Sequence, residues 1–175
     1  MEQAIFGGGC FWCIEAALGR FKGVSRAVSG YCGGHIPNPN YRQVCEGDSG
    51  HVEVVRVDFD PAVLSYETLL QAFFALHDPT TVDRQGNDVG PQYASVIFYL
   101  NDAQRLAASR HIQALSESGT HAAPIVTRLE PAPVFYPAED YHQQYFALHG
   151  HEPYCQAVVA PKLRKFSQQF ASLLS

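Results

Sequence analysis

Residues 3–21 read QAIFGGGCFWCIEAALGRF, and they predict a strand, a sharp turn and a helix in succession. The apolar run Gln3–Phe6 is typical of a short strand, and the three glycines after it allow a tight turn and close approach of backbones. From Phe11 to Phe21, apolar side chains recur at the spacing of a helix face. Cys10 is therefore expected at the strand-to-helix turn, at or just before the first helical turn.

The rest of the chain continues this alternation. Further strands are expected at Val24–Tyr31, His51–Phe59, Ala94–Leu100 and Ile125–Leu129. Helices are expected at Ser65–Leu76 with Ser65 as N-cap, at Asp102–Ser118, at Ala138–His149 and at Ala160–Leu174. Gly33–Asn40 and Asp78–Gln92 are expected to be loops. This order predicts an α+β fold, a ferredoxin-like two-layer sheet with helices and a C-terminal extension, in one domain over residues 1–175.

Composition excludes several classes of protein. Hydrophobic residues make up 46% of the chain and charged residues 17%, which fits a packed core and not a disordered segment. A net charge of −5 argues against a nucleic-acid or anionic-membrane binder, and no run approaches the roughly 18 apolar residues of a membrane span. The first residues also lack the basic region of a signal peptide. We expect a cytoplasmic monomer that binds neither nucleic acid nor membrane.

The five cysteines point to thiol chemistry without defining it. An odd number in a chain of this size is more typical of catalytic, metal-binding or buried thiols than of structural bridges. Cys10 follows the glycines at a helix start, where unpaired N–H groups and the helix dipole lower a thiol pKa. The alternative is that Cys10 is a small core residue. Phe11 and Trp12 are correspondingly either core aromatics or the walls of an apolar pocket beside Cys10.

Several ordered segments resemble one known family. They read GCFW at residues 9–12, GYCGGH at 30–35, NPNY at 38–41, GHVEVV at 50–55, HDPT at 77–80, RQGNDVGPQY at 84–93 and FYPAEDYHQ at 135–143. In order and spacing they are similar to sequence blocks of the A-class peptide methionine sulfoxide reductases. The resemblance extends from about Ala4 to Gln143, with a continuation to Phe166. One departure is Ala94, where the family usually carries an arginine, which puts an ion pair near the site in doubt.

The resemblance implies a mechanism for reducing methionine-S-sulfoxide. Cys10 would attack the sulfoxide sulfur, and Glu53 would protonate the oxygen; its apolar strand should raise its pKa by burial. Tyr41 and Tyr93 would hydrogen-bond the oxygen, and Asp88 would organise the site. The methyl group would lie against Phe11 and Trp12. Read without the family, Glu53 is equally an outward-facing residue in a salt bridge, the tyrosines are ordinary, and Asp88 forms a turn.

The resemblance also implies how the enzyme is recycled. The attack leaves a sulfenic acid on Cys10, which a second cysteine converts into a disulfide that thioredoxin reduces. We favour Cys13 as this resolving cysteine because of its C-x-x-C spacing, and Cys155 is the alternative. Cys32 and Cys45 are interpreted as buried structural thiols. The substrate would be free or protein-bound methionine sulfoxide, and no metal or organic cofactor is needed.

Three other functions remain open at this stage. A thioredoxin-like thiol–disulfide exchanger would use Cys10 and Cys13 without needing Glu53. Five cysteines and eight histidines allow a zinc module, although their spacings form no clean ligand pairs. A non-catalytic domain for oxidised peptides would bind sulfoxides but not turn them over.

Overall fold

Strands and helices alternate along the first two thirds of the chain. The computed structural model describes residues 1–175. The strands are β1 (Glu2–Gly8), β2 (Val24–Cys32), β3 (Val52–Phe59), β4 (Arg84–Gln85), β5 (Asp88–Val89), β6 (Ser95–Tyr99), β7 (Arg128–Pro131) and β8 (Tyr136–Pro137). The helices are α1 (Phe11–Leu18), α2 (Tyr41–Cys45), α3 (Tyr66–Leu76), α4 (Asp102–Glu117), α5 (Tyr145–His149) and α6 (Ala160–Gln169).

Six of these strands form one sheet in the order β7-β6-β1-β3-β2-β8. The inner four, β6-β1-β3-β2, are antiparallel to their neighbours, and α1 carries the chain from β1 across β3 to β2. This is the ferredoxin-like arrangement expected from the sequence, so that prediction is confirmed. β7 extends one edge in parallel with β6, and β8 extends the other edge against β2. β4 and β5 form a separate small hairpin.

The sheet buries side chains on both faces. Val55 and Val57 of β3 belong to a core of 29 buried residues on the helix-covered face. Val52 and Val54 belong to a second cluster of seven on the other face. Because side chains alternate along a strand, Glu53 points to the same face as Val55 and Val57, towards the helices.

Polar N-cap side chains start two of the helices that flank this core. The Ser65 side chain accepts a hydrogen bond from the Thr68 N–H at 3.1 Å, and Asn101 accepts from Gln104 at 2.9 Å, so α3 and α4 begin as expected. α2 was not predicted, although Asn40 forms a capping box with Gln43 at its start.

Other element boundaries differ from the sequence prediction. α1 ends at Leu18 instead of Phe21, and the strand predicted at residues 125–129 lies at Arg128–Pro131. The loop predicted at residues 78–92 contains the β4–β5 hairpin and a 3₁₀ turn. The helix predicted at residues 160–174 ends at Gln169 and is preceded by a π-helical turn over Cys155–Val159.

The helix predicted for residues 138–149 is wrong over most of its length. Only Tyr145–His149 is α-helical, because Gln144 adopts a left-handed conformation with φ of 52°, and Asp140–His142 forms a single 3₁₀ turn. The Glu15 carboxylate accepts the Gln144 N–H at 2.9 Å, and the Gln143 side chain bonds both backbone groups of Ser29. These tertiary bonds outweigh the local helical preference. No helix in the structure is both long enough and apolar enough to cross a membrane.

Candidate active site

A glycine turn places Cys10 at the start of α1. Gly9 has a φ of +95°, and a Cβ there would lie 2.7 Å from the Cγ of Gln85. A Cβ on Gly8 would lie 2.9 Å from the Phe73 ring and 3.0 Å from His77. Only glycine fits both positions, so the turn is pressed against its neighbours and Cys10 becomes the N-cap residue of α1.

The thiols of Cys10 and Cys13 influence each other's ionisation. The Cys13 thiol is the largest cause that raises the pKa of Cys10, and burial and the nearby Glu53 raise it further. Only the backbone N–H of Trp12 acts in the opposite direction. The interaction with Cys10 lowers the pKa of Cys13. The surroundings of Cys10 thus raise its pKa, in contrast to the low pKa expected from its position at a helix start.

Glu53 is buried beside this pair. Its Oε1 accepts the backbone N–H of Phe11 at 3.2 Å, while its Oε2 is buried without a partner. Burial raises the pKa of Glu53 to about 8, with smaller contributions from Asp88 and Cys13, and the Phe11 N–H opposes them. Glu53 is thus a protonated carboxyl group at neutral pH, and the alternative of an outward-facing salt bridge is wrong.

The two predicted phenols, Tyr41 and Tyr93, lie around Glu53. Burial, the Cys45 thiol and Glu53 raise the pKa of Tyr41, whose backbone N–H donates to Glu139 at 2.9 Å. Burial also raises the pKa of Tyr93, followed by the charges of Glu53 and Asp88 and, more weakly, Cys10. Both phenols are therefore neutral hydrogen-bond donors that lie near the buried carboxyl group.

A third phenol at the site was not predicted. The Tyr154 hydroxyl donates to the Asp88 carboxylate at 3.1 Å, and burial and the Cys10 thiol raise the pKa of Tyr154. Its ring meets the edge of Trp12 at 5.7 Å. The chain has nine tyrosines, and Tyr154 lies outside every sequence block of the family resemblance, so only its place next to Cys155 was a signal.

The two aromatic residues after Cys10 differ in exposure. Trp12 is half-buried, stacks on Tyr145 at 3.7 Å and donates its indole N–H to His142 at 3.1 Å. Phe11 is only 1% exposed and packs on Tyr31 and His142 in the core. The prediction that Phe11 lines the pocket is therefore corrected. Its buried ring packs beneath Trp12 in the core, and only Trp12 has a surface that a substrate can reach.

The remaining cysteines lie in three different environments. Cys155 is fully buried, and its pKa is raised by burial, by Glu152 and by Cys13, which lies nearby. Cys32 is fully buried in the second cluster, as predicted. Cys45 is exposed beside Tyr41, so its interpretation as a buried thiol is wrong. No group of three or more His, Cys, Asp or Glu side chains is arranged to hold a metal ion.

These residues combine a sulfur nucleophile, a proton donor and hydrogen-bond donors. Cys10 lies next to the protonated Glu53, and Tyr93 and Tyr154 flank them from the β5 side of the site. Ala94, which replaces the usual arginine, is 4% exposed in the second apolar cluster and introduces no charge. Such a set of groups suits attack on a polar bond whose oxygen must be protonated as it leaves.

The whole chain is similar to known proteins in both sequence and structure. The sequence model described as "Peptide methionine sulfoxide reductase" matches residues 2–174. A "Peptide methionine sulfoxide reductase MsrA" from Chromobacterium violaceum is 62% identical over 174 residues, which cover 99% of each chain. The crystal structure of reduced Mxr1 from Saccharomyces cerevisiae has a TM-score of 0.80 at 31% identity and covers 88% of each chain. Mxr1 in complex with Trx2 has a TM-score of 0.56 at 22% identity, covers 82% of this chain and 84% of that one, and is similar in fold alone.

Proposed function

This chain belongs to the peptide methionine sulfoxide reductase family, and we propose that it reduces methionine-S-sulfoxide, free or protein-bound, with Cys10 as the nucleophile. The observation that carries this proposal is the buried carboxyl group beside Cys10. A carboxyl with a pKa of about 8 is protonated at pH 7 and can give its proton to a leaving oxygen.

The first step transfers oxygen from the substrate to Cys10. Cys10 attacks the sulfoxide sulfur as a thiolate, after loss of its proton to water, and a bond forms between the two sulfurs. Glu53 protonates the sulfoxide oxygen, and Tyr41 and Tyr93 donate hydrogen bonds to it. The hydroxyl group so formed then passes from the substrate sulfur to the Cys10 sulfur, as the substrate S–O bond and the new S–S bond break. This releases methionine and leaves a sulfenic acid on Cys10.

Trp12 is the proposed contact for the substrate methyl group. Its half-buried ring is held between Tyr145 and the edge of Tyr154, and the bond to His142 fixes its orientation. Asp88 is proposed to organise the site through its hydrogen bond with Tyr154. A methyl pocket on one side and an oxygen site on the other accept only one configuration at the sulfoxide sulfur.

The second step forms a disulfide. Cys13 is the proposed resolving cysteine because it lies in the first turn of α1, three residues after Cys10, and the two thiols influence each other's ionisation. Its attack on the Cys10 sulfenic sulfur forms the S–S bond, and the sulfenic oxygen leaves as water. A dithiol reductant such as thioredoxin then supplies two electrons and two protons. Cys155, whose pKa is raised in part by Cys13, is the alternative resolver.

The cellular setting is also proposed. All five cysteines are unbridged, which suits a reducing compartment such as the cytoplasm. The main core joins residues from Ala4 to Phe170, which supports one reductase domain over residues 1–175.

Separated sulfoxide epimers test the proposed reaction. With dithiothreitol as reductant, we expect the protein to convert the S epimer of a blocked methionine sulfoxide to the thioether and to leave the R epimer unchanged. Chromatography of both reactions measures the result. Equal reduction of both epimers would contradict the fixed methyl and oxygen sites, and binding without turnover would favour a domain that only recognises oxidised peptides.

The resolving cysteine is tested by one turnover without external reductant. We expect wild-type protein to form a Cys10–Cys13 bridge, and Cys155→Ser to form the same bridge. Cys13→Ser should release methionine in the first turnover but retain the sulfenic acid, because its nearest thiol partner is gone. Peptide mapping by mass spectrometry locates the bridge, and a Cys10–Cys155 bridge in the wild-type protein would transfer the resolving role to Cys155.

A further inference from the structure

One carboxylate beside the site joins two of its elements. Glu139 lies between β8 and the 3₁₀ turn over Asp140–His142. Its Oε1 accepts a hydrogen bond from the Tyr31 hydroxyl at 2.9 Å, and its Oε2 accepts one from the backbone N–H of Tyr41, also at 2.9 Å. Tyr31 belongs to β2, and Tyr41 is the first residue of α2. Glu139 therefore ties the central sheet to the start of α2.

The sheet fixes the backbone that carries Glu139. The preceding residue, Ala138, donates its N–H to the Ser29 carbonyl oxygen at 2.9 Å, and β8 pairs with β2 at Gly30. A Cβ on Gly30 would lie 2.6 Å from the carbonyl oxygen of Tyr136, so β8 approaches β2 closely only because this residue is glycine. The carboxylate of Glu139 thus extends from a backbone that is held against the sheet.

Tyr31 relates this carboxylate to the buried acid Glu53. Tyr31 and Glu53 are direct partners in the antiparallel register of β2 and β3, so their Cβ atoms lie on one face about 4.5–5.5 Å apart. Tyr31 is fully buried and packs on Phe11, whose backbone N–H donates to Glu53 at 3.2 Å. The bond from the Tyr31 hydroxyl therefore holds Glu139 at a fixed place relative to Glu53.

The start of α2 takes its position from Glu139. Within α2, the Asn40 and Gln43 side chains each accept the backbone N–H of the other, at 2.9 and 3.0 Å. These capping bonds lie within one segment and leave the Tyr41 N–H free for Glu139. Val44 anchors the other end of the helix in the main core. The bond to Glu139 therefore sets how the first turn of α2 is oriented about that anchor.

The ring of Tyr41 extends from this first turn into the site. Its centroid lies 4.4 Å from that of the His142 ring, and His142 accepts the indole N–H of Trp12 at 3.1 Å. His142 also contacts the ring of Phe11, with centroids 5.1 Å apart. A shift of the first turn of α2 would therefore move the Tyr41 hydroxyl relative to the residues that are proposed to receive the sulfoxide.

Glu139 is ionised at neutral pH. Burial acts to raise its pKa, but hydrogen bonds from the Tyr41 N–H, its own backbone N–H and the Tyr31 hydroxyl lower it overall. An ionised carboxylate has acceptors only, which suits the donors around it, including the Tyr141 hydroxyl at 3.3 Å. Glu139 therefore bridges its neighbours as an acceptor and has no proton to donate to the substrate.

We propose that Glu139 is a positioning residue for the first step, and that its bonds to Tyr31 and Tyr41 place the Tyr41 hydroxyl against the sulfoxide oxygen. This inference rests on the proposed function, with Tyr41 as one of the two phenols that bind the oxygen. Glu139 itself touches no substrate atom. It acts through its length, because a side chain that reaches both partners at once fixes α2 relative to the sheet.

Three substitutions at Glu139 separate its length from its charge. In Glu139→Gln the amide oxygen can accept from the Tyr41 N–H, and the amide nitrogen can donate to the Tyr31 hydroxyl oxygen, which is also an acceptor. Glu139→Asp keeps the charge but is one methylene shorter, so it cannot hold both partners in place. Glu139→Met keeps the length and has no strong acceptor. Glu46→Met is the matched control, because Glu46 contacts α2 only through an exposed ion pair with Arg42 at 3.6 Å.

The first step is measured in a single turnover. Reduced protein is mixed in excess with a methionine-S-sulfoxide peptide without added reductant, and chromatography of quenched samples follows the reduced peptide. We expect Glu139→Met and Glu139→Asp to form it about tenfold more slowly than wild type, because a displaced donor no longer stabilises the oxygen. Glu139→Gln and Glu46→Met should both react close to the wild-type rate.

Two further backgrounds show whether Glu139 acts through Tyr41. In Tyr41→Phe there is no hydroxyl left to position, so adding Glu139→Met should cause no further slowing. In Tyr93→Phe the Tyr41 hydroxyl remains, so Glu139→Met should again slow the reaction about tenfold. A residue that only stabilises the fold would slow both backgrounds equally. Melting temperatures identify folded variants, and Glu139→Asp replaces Glu139→Met in both backgrounds if the latter does not fold.

Three results would overturn the proposal. They are wild-type rates in the folded Glu139→Met and Glu139→Asp variants, a Glu139→Gln variant as slow as these two, and a slowing that persists undiminished in Tyr41→Phe. Failure of the proposed function gives a different pattern, because the wild-type protein would then form no reduced peptide, or Tyr41→Phe alone would react at the full rate.

Discussion

A Cys10→Ser variant is expected to lose methionine sulfoxide reduction by a factor on the order of 10⁴ or more. The serine hydroxyl is a far weaker nucleophile than a thiol or thiolate, and it cannot become a sulfenic acid. The variant should nevertheless fold at least as well as the wild type. Cys10 is the N-cap residue of α1 and makes no side-chain capping bond, whereas serine is a preferred N-cap residue.

Cys32 offers a matched control for this substitution. It is also buried and its pKa is raised to about 12 by burial, but it lies in the second cluster, on the opposite face of the sheet from α1. Cys32→Ala should keep its activity and lose some stability. Dithiothreitol-dependent formation of methionine, measured beside the melting temperature, separates the two effects. Activity of Cys10→Ser within tenfold of wild type, or loss of activity in Cys32→Ala alone, would show that the chemistry belongs to another thiol.

The central sheet was predictable because its residues carry their own periodicity. The valines of β3 and the capped α3 are long, regular patterns, and the structure places both within one residue of the prediction. The segment after residue 137 was not predictable in the same way. Its conformation depends on Glu15 and Ser29, more than 100 positions earlier in the chain, which bond the backbone of Gln144 and the side chain of Gln143.

The site shows the same division between local and distant information. The position of Cys10 follows from three adjacent glycines and a helix, which local sequence reveals. The pKa of Cys10 does not follow from the helix start alone, because the Cys13 thiol, burial and the distant Glu53 raise it and only the Trp12 N–H lowers it. Tyr154 reaches Cys10 only because the C-terminal segment folds back over α1, and no pattern near Tyr154 indicates that contact.

A Glu53→Gln variant is expected to lower kcat by about 10²- to 10⁴-fold, because the amide keeps the acceptor for Phe11 but has no acidic proton. In the wild type, activity should fall as pH rises through about 8, where Glu53 loses its proton. The activity of the Glu53→Gln variant should not show this decrease at alkaline pH. Initial rates from pH 6 to 10 test both expectations, and full activity in the variant would favour thiol–disulfide exchange between Cys10 and Cys13 over sulfoxide reduction.

The same substitution should raise stability at alkaline pH. The ordinary pKa of a glutamate is 4.5, and that of folded Glu53 is about 8, so the folded chain favours the protonated form. The stability that Glu53 contributes is present below pH 4.5 and is lost as pH rises through about 8. The Gln variant has no such loss, so its melting temperature relative to wild type should increase between pH 5 and pH 9.

Glu15→Gln is the control that separates the acid role from the cost of burying a carboxyl group. Glu15 is 5% exposed, lies on α1 and has a pKa raised to about 7 by burial, but it accepts from Gln144 and not at the Cys10 end of the helix. Glu15→Gln should gain stability over the same pH interval and keep its activity. If both variants lost activity equally, the effect of Glu53→Gln would reflect the packing of α1. If only Glu53→Gln loses activity, the lost activity reflects the absence of the proton that Glu53 donates in the reaction.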